Sequence, residues 1–241
     1  MKNVAKLVEL AGIALVIFTA PAAAQTLTPD LGAGLSERII QIFLTVTVLS
    51  LAPGIAMMAT SLPFIVIALS IMRQGLGLQH APPNMLIMGL ALFLTFFVME
   101  PVFVEAWSAG LEPLARKELS EKEAFERTIA PFKEFMSARI QPEALSTLAE
   151  ARGAGADALE RPDLALLMPS FILSEIQRAF EVGFVILLPF LIIDLIVASV
   201  LMAMGMMMVP PSVVSLPFKL CFFIMTNGWV AVSGALVRSY A

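Results

Sequence analysis

Long stretches without charge are the feature that most constrains this chain. Residues 39–72 carry no charged side chain, and after Arg73 the next such run extends through Met99. A membrane-spanning helix needs about 20 apolar residues, so each run is long enough to cross a bilayer. Of the 241 residues, 59% are hydrophobic and 14% are charged, which is too apolar for a water-soluble domain. The sequence predicts an all-α membrane protein.

A short segment rich in glycine and proline, RQGLGLQHAPPN, joins the two runs. Pro82 and Pro83 in this segment are typical of a tight turn, so residues 39–106 are predicted to form a helical hairpin. The first arm of the hairpin contains Pro53 and Pro63, and each proline removes a backbone hydrogen bond from a helix. We therefore expect this arm to be broken and to lie against protein rather than lipid.

The second half of the chain repeats this pattern after a charged insert. The insert, residues 107–168, contains eight basic and eleven acidic side chains between positions 111 and 163, and it predicts a small solvated helical segment. Residues 169–241 are apolar again and predict a second hairpin, which Pro210 and Pro211 close. The expected architecture is two long proline-kinked hairpins, four spans in all, with the insert between them.

The amino-terminal region has the layout of a cleavable secretory signal. Lys2 and Lys6 precede an apolar run and then the small-residue stretch PAAAQT. We predict a signal peptide over residues 1–24, cleaved between Ala24 and Gln25, and an exported segment over residues 25–38. The alternative is a short uncleaved anchor, although the apolar run is shorter than a span requires. An exported amino terminus places the charged insert outside the cytoplasm.

Composition and motifs argue against several classes of function. The formal net charge of −4 speaks against a nucleic-acid partner. The sequence has no phosphate-binding glycine loop and no cluster of metal ligands, and His80, its one histidine, lies in a polar turn without a neighbouring cysteine. We therefore predict no enzyme activity, no cofactor and no metal. Three classes of function remain: a protein-conducting pore, a small-solute channel or transporter, and a structural membrane scaffold.

Five charged residues interrupt the second apolar region before position 238, and a charge in an apolar setting needs a partner. Glu175, Arg178 and Glu181 follow one another at three-residue spacing, which fits either a solvated stripe or a ring of ion pairs between subunits. Asp194 is expected to accept a structural hydrogen bond from a neighbouring helix or, alternatively, to couple to proton movement. Lys219 is expected either to extend to an interface or to pair with a carboxylate of a neighbouring chain.

The segment MAMGMMMVPPSV, residues 202–213, concentrates methionine where the helix must end. Met206, Met207 and Met208 allow two interpretations. One is ordinary apolar packing. The other is a deformable hydrophobic constriction, because methionine adapts its shape to changing neighbours and a narrow apolar ring excludes water and ions.

Two stretches carry a resemblance to a known family. Residues 69–102, which include RQGLG, PPN and LALFLTFF, and residues 169–220, which include MGMMMVPP and LPFKL, closely resemble the FliP/SctR family of type III secretion export-gate proteins. The motifs occur in order and at compatible spacing. The charged insert resembles that family in its position and helical character.

The resemblance implies a core subunit of a bacterial protein export gate in the inner membrane, at the flagellar basal body, with the insert on the periplasmic side. It implies about five copies of the chain in a helical pore, together with FliQ-like and FliR-like subunits, a large FlhB/FlhA-like subunit and unfolded flagellar proteins as cargo. Of the two interpretations of Met206, Met207 and Met208, the resemblance favours the hydrophobic constriction. Use in an injectisome stays open, although the signal peptide and the long insert favour the flagellar branch.

Overall fold

A computed structural model describes residues 35–78, 81–155, 157–206 and 208–240. The predicted cleavage site at Ala24 and Gln25 lies outside these ranges, as do His80 and Met207. The described residues form two compact units, one ending at Ser50 and one beginning at Leu51, and each is considered by itself.

All regular secondary structure in the described ranges is helical, which confirms the all-α prediction. A π-helical turn over Trp107–Leu111 directly precedes the short helix α4. In chain order the helices are α1 (Leu35–Met58), α2 (Leu62–Gly75), α3 (Asn84–Ala106), α4 (Glu112–Ala115), α5 (Glu121–Ser137), α6 (Pro142–Arg152), α7 (Asp157–Glu160), α8 (Leu164–Ala203), α9 (Pro211–Met225) and α10 (Gly228–Arg238).

The part of α1 in the first unit satisfies three of its hydroxyl groups internally. The hydroxyls of Thr45, Thr47 and Ser50 each donate to the backbone carbonyl four residues earlier, at 2.7, 2.8 and 2.7 Å. Apolar side chains around them are exposed, including Phe43 at 72%. Because these hydroxyls already donate to backbone carbonyls, they do not need water as a hydrogen-bond partner. With its apolar side chains exposed, this part of the helix is suited to an apolar environment.

The first arm of the first hairpin is broken near Pro63, as its sequence predicts. Helix α1 continues through Pro53 and ends at Met58, and α2 begins at Leu62 with Pro63 in its first turn. Proline is tolerated there because the first helical N–H groups have no intrahelical acceptor. The expected first span is therefore two helices, of which α2 has only 14 residues.

Helix α2 forms the centre of the second unit, between α3 and α8. Its side chains Phe64, Ile65, Leu69 and Met72 are completely buried. Contact with α8 is close at Gly183, where an added Cβ would lie 2.5 Å from Cδ1 of Ile71. The most buried apolar surface of the subunit thus lies along a short helix rather than along the long ones.

Two described helical segments are long and apolar enough to cross a membrane, residues 84–115 and the 40-residue α8. Helix α8 runs unbroken through two prolines and, at 1.5 Å per residue, extends about 60 Å, twice the thickness of a bilayer core. Helices α9 and α10 are bent by 62° and would add one broken span if they cross together. The second hairpin consequently has one long continuous arm and one bent arm.

The charged insert packs against the rest of the second unit along one face. Its helix α5 begins with a capping box between Ser120 and Glu123, and the same helix contributes Met136 to a buried cluster with Leu167 and Phe171 of α8. The outer face of α5 carries the charges. The insert is exposed on that side, and it also continues the hydrophobic core over the beginning of α8.

The π-helical turn depends on a glycine. A Cβ added to Gly110 would lie 2.0 Å from Oγ1 of Thr128 and 2.7 Å from the backbone oxygen of Ala124, both on α5. We expect Gly110→Ala to destabilise the subunit by about 1–3 kcal/mol, because the backbone of α5 cannot give way easily. Thermal unfolding in detergent measures this, and Gly155→Ala, where nothing lies within 4 Å, is the control.

Candidate functional site

The first polar cluster surrounds Glu175 on α8, whose side chain is fully buried. The Arg139 Nε donates to one carboxylate oxygen at 2.9 Å, and the Tyr240 hydroxyl donates to the other. A second guanidinium, that of Arg178, lies 3.6 Å from the oxygen that Arg139 uses. A buried carboxylate is tolerated when it is paired and both oxygens are hydrogen-bonded, as they are here.

Tyr240 connects this cluster to the chain's last described residues. The guanidinium carbon of Arg139 lies 3.7 Å from the centroid of the Tyr240 ring, a cation–π contact. The ring stacks on Phe135 and meets Phe64 edge-on, with centroid distances of 6.0 and 5.4 Å. Burial, followed by the Glu175 charge, raises the pKa of the Tyr240 hydroxyl well above its ordinary value, so it remains a donor.

A further bond fixes the same segment, because Arg139 Nη1 donates to the backbone oxygen of Ser239 at 2.9 Å. Arg139 follows α5, so one arginine of the insert holds both α8 and the segment after α10. The cluster joins the insert, the long helix and the end of the second hairpin.

These contacts change the interpretation of the charged stripe formed by Glu175, Arg178 and Glu181. Glu175 is not solvated, and its described partners belong to its own chain. Glu181 is exposed and Arg178 is 30% exposed, so these two side chains do lie at the surface of the subunit. A role for the stripe in pairing between subunits remains a prediction.

The second polar cluster connects three helices through Lys219 of α9. Its Nζ lies 2.6 Å from Asp194 Oδ2 on α8 and donates at 3.1 Å to the backbone oxygen of Gly75, the last residue of α2. The hydroxyl of Ser215 donates to the other oxygen of Asp194 at 2.5 Å. Asp194 thus has the neighbouring-helix hydrogen bond that the sequence suggests.

The position of Lys219 also bears on the two alternatives for that residue. Its side chain is 7% exposed and points into the subunit, and a role for it between subunits stays a prediction. Its carboxylate partner is in its own chain. The lysine satisfies a helix C-terminal carbonyl as well as a carboxylate, which fits the preference for cations at helix C-termini.

The methionine segment lies on the outside of the subunit, between α8 and α9. Its exposed fractions are 63% at Met202, 65% at Met204, 38% at Met206 and 98% at Met208. Gly205 has a positive φ of 74°, which starts the turn just after the helix ends. These methionines do not pack in the subunit's own interior and are free to contact other molecules.

Within the described ranges, no group of three or more His, Cys, Asp or Glu side chains is arranged to hold a metal ion.

Four partners in the polar clusters were missed by sequence reasoning. No local pattern distinguishes them from other residues of the same types; they are Gly75, Arg139, Ser215 and Tyr240.

Comparison with known proteins finds similarity over nearly the whole chain. The profile described as "FliP family" matches residues 45–236. The chain is 46% identical over 236 residues to "Flagellar biosynthetic protein FliP" of Rhizobium meliloti (strain 1021), covering 95% of this chain and 96% of the relative. It is 44% identical over 249 residues to the protein of that name from Caulobacter vibrioides, covering 100% and 92%.

A more distant relative of the same name, from Bacillus subtilis (strain 168), is 43% identical over 202 residues, covering 83% of this chain and 91% of the relative. These matches include the helices that carry both polar clusters and the methionine segment. The chain belongs to the FliP family.

Proposed function

We propose that this chain is a core subunit of the flagellar type III protein export gate, where it forms a gated pore for unfolded flagellar proteins. The observation that carries the proposal is the 46% identity over 95% of the chain to a protein named for flagellar biosynthesis. The geometry of the subunit supports a pore in two further respects.

The first is the exposed methionine segment. Repeated around an axis, flexible apolar side chains at the turn between α8 and α9 form a constriction that excludes water and ions. Met206, Met207 and Met208 have this role in the proposal. Pro210 and Pro211 then start α9 on the far side of the turn, and Pro82 and Pro83 occupy the corresponding turn of the first hairpin.

The second is the amount of apolar surface that the subunit leaves uncovered. Phe93 on α3 is 79% exposed and Leu195 on α8 is 67% exposed. Such surfaces require lipid or other subunits. In the proposal, about five copies pack together with FliQ-like and FliR-like subunits and adjoin a large FlhB/FlhA-like subunit. The assembly lies in the inner membrane, with the insert on the periplasmic side and the signal peptide removed after Ala24.

Other classes of function fit these observations less well. A transporter with matched broken helices would need ionisable groups in both hairpins, and Asp194 has no counterpart within the first hairpin's uncharged runs. An injectisome subunit is disfavoured because the compared relatives carry a flagellar name. A scaffold without a pore shares the fold, so conductance is the property that separates it from a gate.

Deleting the gene is expected to abolish secretion of flagellar proteins, and the plasmid-borne wild-type chain is expected to restore it. Immunoblots of culture medium measure secretion. The assembly purified from membranes is expected to be closed at rest and to conduct once the methionine segment is removed, because the proposed seal is at that segment. Planar-bilayer recording measures this conductance.

Normal secretion in the deletion strain would contradict the proposal. An assembled complex that never conducts, with or without the methionine segment, would instead favour the scaffold. An unrelated inner-membrane protein purified in the same detergent controls for leaks caused by the preparation.

A further inference from the structure

The two residues after α10 contact three other parts of the subunit. We refer to these residues, Ser239 and Tyr240, as the strap. The backbone oxygen of Ser239 accepts from Arg139 Nη1 of the insert at 2.9 Å. The Tyr240 hydroxyl donates to Glu175 on α8, and its ring meets Phe64 on α2 edge-on at 5.4 Å. The strap therefore joins the insert, the long helix and the central helix of the unit.

Helix α10 itself contributes little to holding the strap in place. Of its 11 residues, all within the described ranges, Gly228 and Leu236 alone are buried. The helix begins after Asn227, whose φ is 49°, and it is bent by 62° away from α9. The contacts of the strap therefore do much to fix the far end of α10.

The strap also covers the contact between the insert and α8. The Tyr240 ring stacks on Phe135 of α5 at 6.0 Å, and Phe135 meets Phe171 of α8 at 5.8 Å. The Arg139 guanidinium carbon lies 3.7 Å from the centroid of the Tyr240 ring, while its Nε donates to Glu175 at 2.9 Å. Water weakens an ion pair because it raises the effective dielectric constant around the charges. With the strap removed, water reaches this ion pair, and the tie between the insert and α8 weakens.

The strap reaches these partners only once α9 and α10 are in place. Ser239 is 100 residues from Arg139, and Tyr240 is 65 residues from Glu175. The intervening α9 and α10 bring the chain back from the methionine segment, at the end of α8, to Glu175 near its beginning. The contacts of the strap are consequently among the last in the subunit to form.

We propose that the strap is a closing device, which docks after α9 and α10 are in place and locks the insert onto α8. Its release frees the insert while α3 and α8 stay packed on α2. The contacts that remain hold the insert only transiently. They are a hydrogen bond from the Gln141 N–H to Ser174 Oγ at 2.9 Å and the apolar cluster around Met136. A locked insert thus distinguishes a subunit whose second hairpin is in place from one that is still being inserted.

Thiol labelling separates release of the insert from loss of the fold. Met136 on α5 is 1% exposed in the cluster with α8, whereas Met72 is completely buried in the core around α2. Each is replaced by cysteine, as Met136→Cys or Met72→Cys, in a full chain that carries Cys221→Ser. The rate of reaction with a maleimide is measured on the subunit in detergent, with and without a change in the strap.

Tyr240→Ala is expected to speed labelling at Met136→Cys by about a hundredfold, because a ring stack and a hydrogen bond to a carboxylate are both lost. Labelling at Met72→Cys is expected to keep its original rate. Tyr240→Phe retains the ring and is expected to speed labelling at Met136→Cys by about tenfold, through loss of the hydrogen bond alone. Ser239→Ala is the matched control and is expected to label like wild type, because the backbone oxygen that Arg139 uses is retained.

The inference is overturned if Tyr240→Ala leaves labelling at Met136→Cys unchanged, or if Ser239→Ala has the same effect as Tyr240→Phe. Should Tyr240→Ala unfold the subunit and expose both cysteines, Tyr240→Phe decides. Faster labelling at Met136→Cys alone supports the strap, whereas an equal change at both cysteines, or no change at either, overturns it. The proposed function is tested separately, by secretion and conductance, and stands or falls without this result.

Discussion

Replacing Glu175 with lysine is expected to prevent the subunit from folding. The substitution puts an ammonium group into a fully buried position beside the guanidinium groups of Arg139 and Arg178. Removing one partner of a buried ion pair costs about 3–5 kcal/mol, and reversing its charge costs more. Since a whole domain has a stability of roughly 5–15 kcal/mol, this loss is decisive. Protease resistance and thermal unfolding of the subunit in detergent measure it.

Two further variants distinguish the loss of the buried carboxylate from a general effect of changing a charge. Glu143→Lys introduces the same charge change at an exposed position of α6 and is expected to leave unfolding close to that of wild type. Glu175→Gln retains the shape but removes the charge, so it is expected to destabilise the subunit less than lysine does. A Glu175→Lys subunit that unfolds like wild type and yet fails to assemble would show that the carboxylate acts between copies and not within one.

The parts of this fold that could be predicted are those set by local chemistry. The apolar stretches predict long apolar helices, and α3 and α8 are such helices. Pro63 predicts a break, and α2 begins there. The N-cap of α8 is also set by local chemistry, because the Asp163 carboxylate accepts from the Leu166 N–H, three residues later, at 2.9 Å.

Prolines inside apolar stretches were less informative. Pro53 is predicted to help break the first arm, but α1 is continuous through it, as α8 is through Pro189 and α9 is through Pro217. A proline removes one hydrogen bond and bends a helix, and packing against neighbouring helices compensates for this loss. Whether a proline ends a helix therefore depends on tertiary contacts that the sequence does not display.

The partners of the charged residues could not be predicted because they are distant in sequence. Glu175 is 36 residues from Arg139 and 65 from Tyr240, and Lys219 is 144 residues from Gly75. Arg139 is one of eight basic residues in a segment that is otherwise solvated. The need for a partner follows from the cost of a buried charge, whereas the identity of the partner follows from how the helices pack.

Replacing Met206, Met207 and Met208 together with alanine is expected to make the membrane leak small ions. In the proposed pore these side chains close a constriction by excluding water, and alanine shortens each of them at every copy of the turn. A modest widening admits water and changes conductance steeply. Secretion of flagellar proteins is expected to persist at least partly, because a polypeptide needs an opening much wider than one side chain.

Leucine at the same three positions is the matched control for bulk. It remains apolar and large but is less adaptable than methionine, so it is expected to seal better than alanine. Met85→Ala, at a methionine of α3 that is 86% exposed and remote in sequence from the turn, controls for the loss of an exposed methionine elsewhere. Ion leak in growing cells and the amount of assembled complex are measured together for all variants.

The packing interpretation of the methionines predicts a different result. Deleting buried side chains costs about 2–5 kcal/mol each, so alanine would then lower both complex and secretion without a specific leak. Met208 is 98% exposed and Met206 is 38% exposed in the subunit, so such a loss would have to come from contacts between subunits. A triple-alanine variant that assembles normally and leaks no more than wild type would exclude the constriction at this turn.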